Sequence, residues 1–285
     1  MKNKVKSLVK INLKLFNLPV KVGISSLVFF IAVYMISSRL AAISRSYHIN
    51  LNIWDGILKT VNYSSFILGF YLPFVVVITT FFNVKNDYEK CIMLRSSHKR
   101  TYIVSKSVTN SILAFLFTSL FFVILFIINM FMFKYETWWS DFVLNKENVR
   151  EVINTLYVNS FVYNLNPIEA VLISYIEIFI SSLILFSLRD LLMNYIQRKY
   201  IVYIIISSYL IGNVIFDGFS LEGGLCEAYK YIGLDTMALL YKHNFSQNNY
   251  FPVPLWMSLI FSFALLAVII AVNLLLNRRL VISHD

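Results

Sequence analysis

Two glutamates stand eight residues apart in PIEAVLISYIEIFISSLILF, residues 167–186, where most other side chains are apolar. On a helix the pair subtends about 80°, so Glu169 and Glu177 can look into one interior groove and form a translocation path. Glu169 follows Pro167 by two residues. There the positive end of a helix N-terminus stabilises a carboxylate, which gives Glu169 a structural role as well. Glu177 falls near mid-depth of a membrane span, so it must face protein, face water or be protonated. Two readings stay open for it: a bond to a neighbouring helix through Ser64, Ser65, Thr79 or Thr80, or a place on a substrate path.

The remaining inventory points away from catalysis by this chain. His48, His98, His243 and His284 fall in loops or at the tail, with no second histidine or carboxylate at ligand spacing. No Gly-x-Ser-x-Gly turn is present, and none of the 8 glycines opens a phosphate-cradling Gly-x-x-x-x-Gly-Lys-Ser/Thr loop. The chain is expected to bind no cofactor and no metal, and any ATP it uses must sit on another polypeptide. Asp217, Glu222, Glu227, Asp235 and His243 crowd one outer loop, where the simpler reading is a solvated face and the alternative is a convergent site.

The elements that must hold these residues follow from composition. Of 285 residues, 58% are hydrophobic and 14% charged, with a mean hydropathy of +0.69. The apolar residues come in long blocks, which indicates an all-α integral membrane protein made of a single transmembrane domain. About 20 apolar residues cross the hydrocarbon core, so six spans are expected, near 20–38, 63–84, 107–132, 167–188, 200–216 and 253–276. The third is long enough to tilt or project. The short fifth implies either an early stop into a partly immersed segment or local thinning of the bilayer. Residues 1–19 carry lysines on an amphipathic pattern and predict an interfacial helix rather than a cleaved signal.

Six spans leave both termini on one side with segments 85–106 and 189–199. That side holds 17 of the 25 Lys and Arg residues, which makes it cytoplasmic. Topology and anionic membrane lipids account for the net charge of +10 without nucleic acid. Cys91 and Cys226 then lie on opposite sides and cannot pair within one chain. Val149, Val152, Ile153, Leu156 and Tyr157 predict a short surface helix. In the outer loop 217–252, Asp235 is the expected N-cap of TMALLY; either short outer helices dip toward the membrane or the loop is solvated. Trp138, Trp139 and Trp256 are expected as interfacial anchors.

Residues 85–106, KNDYEKCIMLRSSHKRTYIVSK, place eight charges between two nearly uncharged runs. The segment begins as an amphipathic helix with Tyr88, Cys91, Ile92 and Arg95 toward one side, and Ser96-Ser97 interrupts it before Arg100, Tyr102 and Lys106 enter the next span. Such a helix suits docking in a groove of a soluble partner, while the alternative is a basic loop lying on headgroups.

The layout and the pattern Glu89, Leu94-Arg95-Ser96-Ser97, Arg100, Tyr102, Lys106 resemble the permease subunits of ABC-2-type ATP-binding-cassette transporters. The layout resembles them over essentially the whole chain, the motif over about 20 residues. The resemblance implies a cytoplasmic coupling helix in which Tyr88, Glu89, Cys91, Ile92, Leu94, Arg95 and Arg100 contact an ATPase subunit. It also implies a second permease chain, identical or different, and ATP with magnesium bound by the partner ATPase. The expected function is export across the plasma membrane of a bacterial cell. A wide apolar path and 16% aromatic residues suit an amphipathic or hydrophobic cargo such as an antimicrobial peptide or lantibiotic, a drug or a lipid-linked molecule. The alternatives are an ATPase-independent immunity or assembly factor and a membrane enzyme of another kind.

Overall fold

The computed structural model describes residues 2–80, 99–144, 161–196, 198–218, 233–245 and 253–276. Among the described residues the regular structure is helical, apart from an isolated bridge between Asn52 and Lys134. Helix α1 (Lys2–Leu15) exposes Lys4, Lys6, Lys10 and Lys14, buries Val9 and packs along α5, as the lysine spacing predicts. Asn17, with φ 50°, turns the chain into α2 (Leu18–Ser46), whose first turn holds Pro19.

The first span was expected to close near residue 38, yet α2 continues for two more turns. Arg39 and Arg45 do not end it because both remain exposed and their long stems carry the charge away from the apolar surface. The stretch up to residue 62, expected as an outer connection, instead contains helix α3 (Ile53–Val61), buried on nearly all sides. Its start is a capping box. The Asn52 side chain accepts from the N–H groups of Trp54 and Asp55, and Asp55 Oδ2 accepts from the Asn52 N–H at 2.9 Å. Asn52 Nδ2 then donates to Trp138 O at 2.7 Å and Trp54 Nε1 to Glu136 O, which fastens α3 to the chain leaving α5. Gly56 lets the helix approach α5 closely, because a Cβ there would collide with the Asn129 and Phe133 side chains.

Helix α4 (Ser64–Thr80) meets α3 at a 58° bend. Within it, Ile67–Tyr71 forms a π-turn in which Leu72 N–H donates to Ile67 O, immediately before Pro73, whose missing donor prevents a regular ladder. The turn aims Tyr71 inward against Phe121, with ring centroids 4.7 Å apart, and its hydroxyl meets Thr118 Oγ1 at 3.2 Å. Helix α5 (Lys99–Met132) spans 34 residues, about 51 Å, so it outreaches a hydrocarbon core as expected.

Helix α6 (Pro167–Met193) is the axis of the bundle and touches α3, α4, α5 and α7 (Lys199–Gly218). It also packs against α8 (Leu234–Ala238) and α9 (Leu255–Leu276). Among the described residues, four helices are long and apolar enough to cross a membrane, or five if α3 and α4 form one bent span; α7 adds a shorter apolar stretch, Lys199–Ile215. This is the architecture of a multi-pass membrane protein. Helices α2 and α9 turn Leu27, Phe30, Met35, Phe263 and Val268 outward, as surfaces solvated by lipid do. Segment 189–199 begins differently from expectation: Arg189 and Asp190 are still in α6 and buried.

Candidate site in the bundle interior

The segment from Leu234 to His243 is the unit to which the interior polar groups converge. Gly233, in extended conformation, precedes α8, so Asp235 lies in the first turn and not at the N-cap. After Ala238 the chain extends at Leu239, closes a 3₁₀ turn over Leu240–Lys242 and extends again at His243. Leu234, Leu239 and Leu240 are buried, which draws the segment into the bundle rather than leaving it in water. The described part of this loop is therefore packed inside the bundle and is not a solvated face.

Its main chain is gripped by a side chain from each of four helices. Asn213 of α7 accepts from Leu234 N–H at 3.0 Å, and Ser181 of α6 donates to Met237 O at 3.4 Å. Ser258 of α9 donates to Thr236 O at 3.1 Å. Asn62, which ends α3, accepts from Tyr241 N–H at 3.2 Å while its Nδ2 holds Leu58 O. Asn244 N–H donates to Val253 O at 2.8 Å and closes the return toward α9.

The fifth anchor is ionisable. His243 Nε2 and Glu177 Oε1 share a hydrogen bond of 2.5 Å, with both side chains wholly enclosed. Glu177 thus has a partner that the sequence reading did not pair with it. Thr79 and Thr80 turn back to the carbonyls of Val75 and Val76 in their own helix. In sequence the two groups are 66 residues apart. Glu177 Oε2 and Ser174 Oγ, one turn away, have no hydrogen-bond partner among the described residues. In a low-dielectric interior, losing either member of this pair strands the other.

Asp235 and His243 belong to the interior and not to a solvated face; Lys242 Nζ stands 3.6 Å from Asp235 Oδ2. The side chain of Asp217, and Glu222 and Glu227, lie outside the described residues. Glu169 goes elsewhere: it forms a capping box with Asn166, accepting from Asn166 N–H at 3.1 Å, and is exposed. The two glutamates consequently do not share one groove. Trp139 is also not an anchor at the surface; it is buried with Nε1 donating to Leu165 O at 3.0 Å, whereas Trp138 and Trp256 are exposed.

A second polar layer lies near the other end of α6. Asp190 Oδ2 accepts from Asn110 Nδ2 at 2.7 Å, and its Oδ1 accepts from Arg189 and meets Lys106 Nζ at 3.6 Å. The aromatic and aliphatic side chains of Ile184, Leu185 and Phe186 separate the two layers along the helix. A cavity of about 930 Å³ opens between the ends of α2 and α5, lined by Arg45, His48, Lys134 and Glu136; Glu177 and His243 do not reach it.

The expected contacts Tyr88, Glu89, Cys91, Ile92, Leu94 and Arg95 lie outside the described residues, as does the surface helix expected at 149–157. Arg100 falls in the first turn of α5. Among the described residues no group of three or more His, Cys, Asp or Glu side chains is placed to hold a metal ion. Neither the protein-family models nor the curated proteins nor the solved structures contain a match to this chain.

Proposed function

We propose that the protein is the membrane permease subunit of an ABC-type exporter, with its segment Leu234–His243 acting as a plug in the outer part of the path. The observation that carries this reading is the fastening of that plug to the central helix through the buried Glu177–His243 pair. A helical segment held by main-chain hydrogen bonds and one ionisable contact can leave its seat without unfolding the surrounding helices. That is the behaviour alternating access requires of a gate.

The order of elements supports the same reading: an amphipathic α1, a bent α4, a long α5 opening just past the charged stretch 85–98, and a short buried α8 between α7 and α9. In this reading the spans are six, α3 and α4 count as one and α7 as another, and both termini face the cytoplasm. Two permease chains pair, each docks an ATPase subunit at Tyr88 to Arg100, and ATP binding on those subunits shifts α4 and α5. The exporter moves an amphipathic or hydrophobic cargo, of which a membrane-active peptide is the favoured example, across the plasma membrane. An acid–base enzyme is disfavoured because the Glu177–His243 pair has no opening to a substrate.

Extraction of the tagged chain in mild detergent, followed by identification of bound proteins, tests the reading. A near-stoichiometric ATPase is expected, and it is expected to be lost when Tyr88, Ile92 and Arg95 are changed together to Ala. If gentle crosslinking of the unaltered protein captures no ATPase, the transporter reading gives way to an ATPase-independent immunity or assembly role.

A further inference from the structure

Helix polarity brings the start of α2, the start of α5, the end of α6 and the start of α7 to one end of the bundle, and that end concentrates positive charge. Lys21, in the first turn of α2, is buried, with its ammonium 3.3 Å above the Phe16 ring. Among the described residues no oxygen accepts a hydrogen bond from its Nζ. Arg189 is buried too. Its Nε and Nη2 are engaged by Asp190 Oδ1 at 3.0 and 2.8 Å, and Nη2 also by Asn110 Oδ1, but Nη1 has no acceptor among the described residues.

Side-chain contacts connect these two cations. Phe16, beneath Lys21, packs edge-on against Phe117 of α5, and Asn12 of α1 donates to Thr109, the residue beside Asn110. Arg189 and Lys199 are near enough for their charges to act on Lys21. Lys106, partly exposed, stands at the edge with Asp190. The acid side of this layer is a single carboxylate, Asp190, among the described residues, and Arg189, Lys106 and Asn110 already claim its oxygens.

A ring face offsets only part of the desolvation of a buried ammonium, and a guanidinium with a free N–H keeps a donor directed at nothing. Both shortfalls are met by an anion with several acceptor oxygens, and phosphate matches the mixed lysine and arginine donors. We propose that this end of the bundle binds a phosphate group, held by Lys21 and Arg189 with Lys106 and Lys199 at its rim. The phosphate comes from an anionic lipid or from free phosphate in solution. The site does not depend on the transporter reading.

The test is thermal unfolding of the full chain in nonionic detergent. Phosphatidylglycerol is compared with diacylglycerol of the same chains, and sodium phosphate with sodium chloride at matched ionic strength. Phosphatidylglycerol is expected to raise Tm by about 3 °C over diacylglycerol. Most of that rise is expected to vanish in Lys21→Met and to persist in Lys10→Met, an exposed change on α1. A rise with sodium phosphate alone assigns the site to the free anion; a rise with the lipid alone assigns it to the headgroup. If neither raises Tm, or if Lys21→Met keeps the full rise, the proposal is overturned. Should Lys21→Met yield no folded protein, Lys199→Met at the rim is read by the same criteria.

Discussion

At the scale of single residues, the decisive contact is the one between Glu177 and His243. Removing one partner of a buried pair leaves the other uncompensated, so His243→Ala is expected to lower stability by about 3–5 kcal/mol. Tm in detergent measures this directly. Replacing both partners by apolar groups of similar volume, Glu177→Met with His243→Leu, is expected to restore most of that stability, since matched apolar pairs commonly substitute for buried ionic ones. In inverted vesicles with the ATPase present, the same double variant and Glu177→Gln are both expected to lose ATP-driven uptake of a fluorescent amphipathic peptide. Full uptake by Glu177→Gln would leave the pair with a purely structural role. Sequence reasoning located Glu177 as an interior acid because its apolar neighbours and depth in the span said so. It did not pair His243 with Glu177, because a loop residue bordered by Lys242 and Asn244 carries no local sign that three buried leucines will pull it inside. The polar pattern of that loop was legible, whereas its burial depends on contacts with α6, α7 and α9 far away in the chain.

At the scale of elements, long apolar runs were readable and short buried helices were not. Helices α5, α6, α7 and α9 stand close to where hydropathy puts them, because long apolar runs leave a membrane chain few alternatives to a helix. The nine residues of α3 are too few for periodicity to mark, although Asn52 and Asp55, three apart, do carry the capping-box spacing that opens it. Its seat depends on a missing side chain. Gly56→Ala is expected to destabilise the fold by about 1–3 kcal/mol, because the added methyl must displace Asn129, whose Oδ1 already accepts from Ser37 Oγ at 3.2 Å. Combining it with Asn129→Ala is expected to recover part of the loss in Tm. An unchanged Tm for the single variant would mean that α3 sits farther from α5 than the geometry indicates.

For the whole molecule, the proposed six-span path makes a claim that the two cysteines can check. A membrane-impermeant maleimide applied to sealed right-side-out vesicles is expected to label Cys226 and to reach Cys91 only after permeabilisation. Labelling of both from one side would remove an odd number of crossings between them and with it the proposed topology. The amphipathic α1 was legible from the sequence; the two buried polar layers on α6 were not, since Arg189 reads as a loop cation until its helix is seen to run on to Met193. One consequence of the plug's fastening concerns descent. Asn213, Ser181, Ser258 and Asn62 all hold main-chain atoms of Leu234–His243. The leucines and other apolar side chains of that stretch can then drift among residues of similar bulk while its seat stays intact. Divergent kin of this chain would then be told by small polar residues at four places on their helices, long after the spelling of the plug itself has been lost.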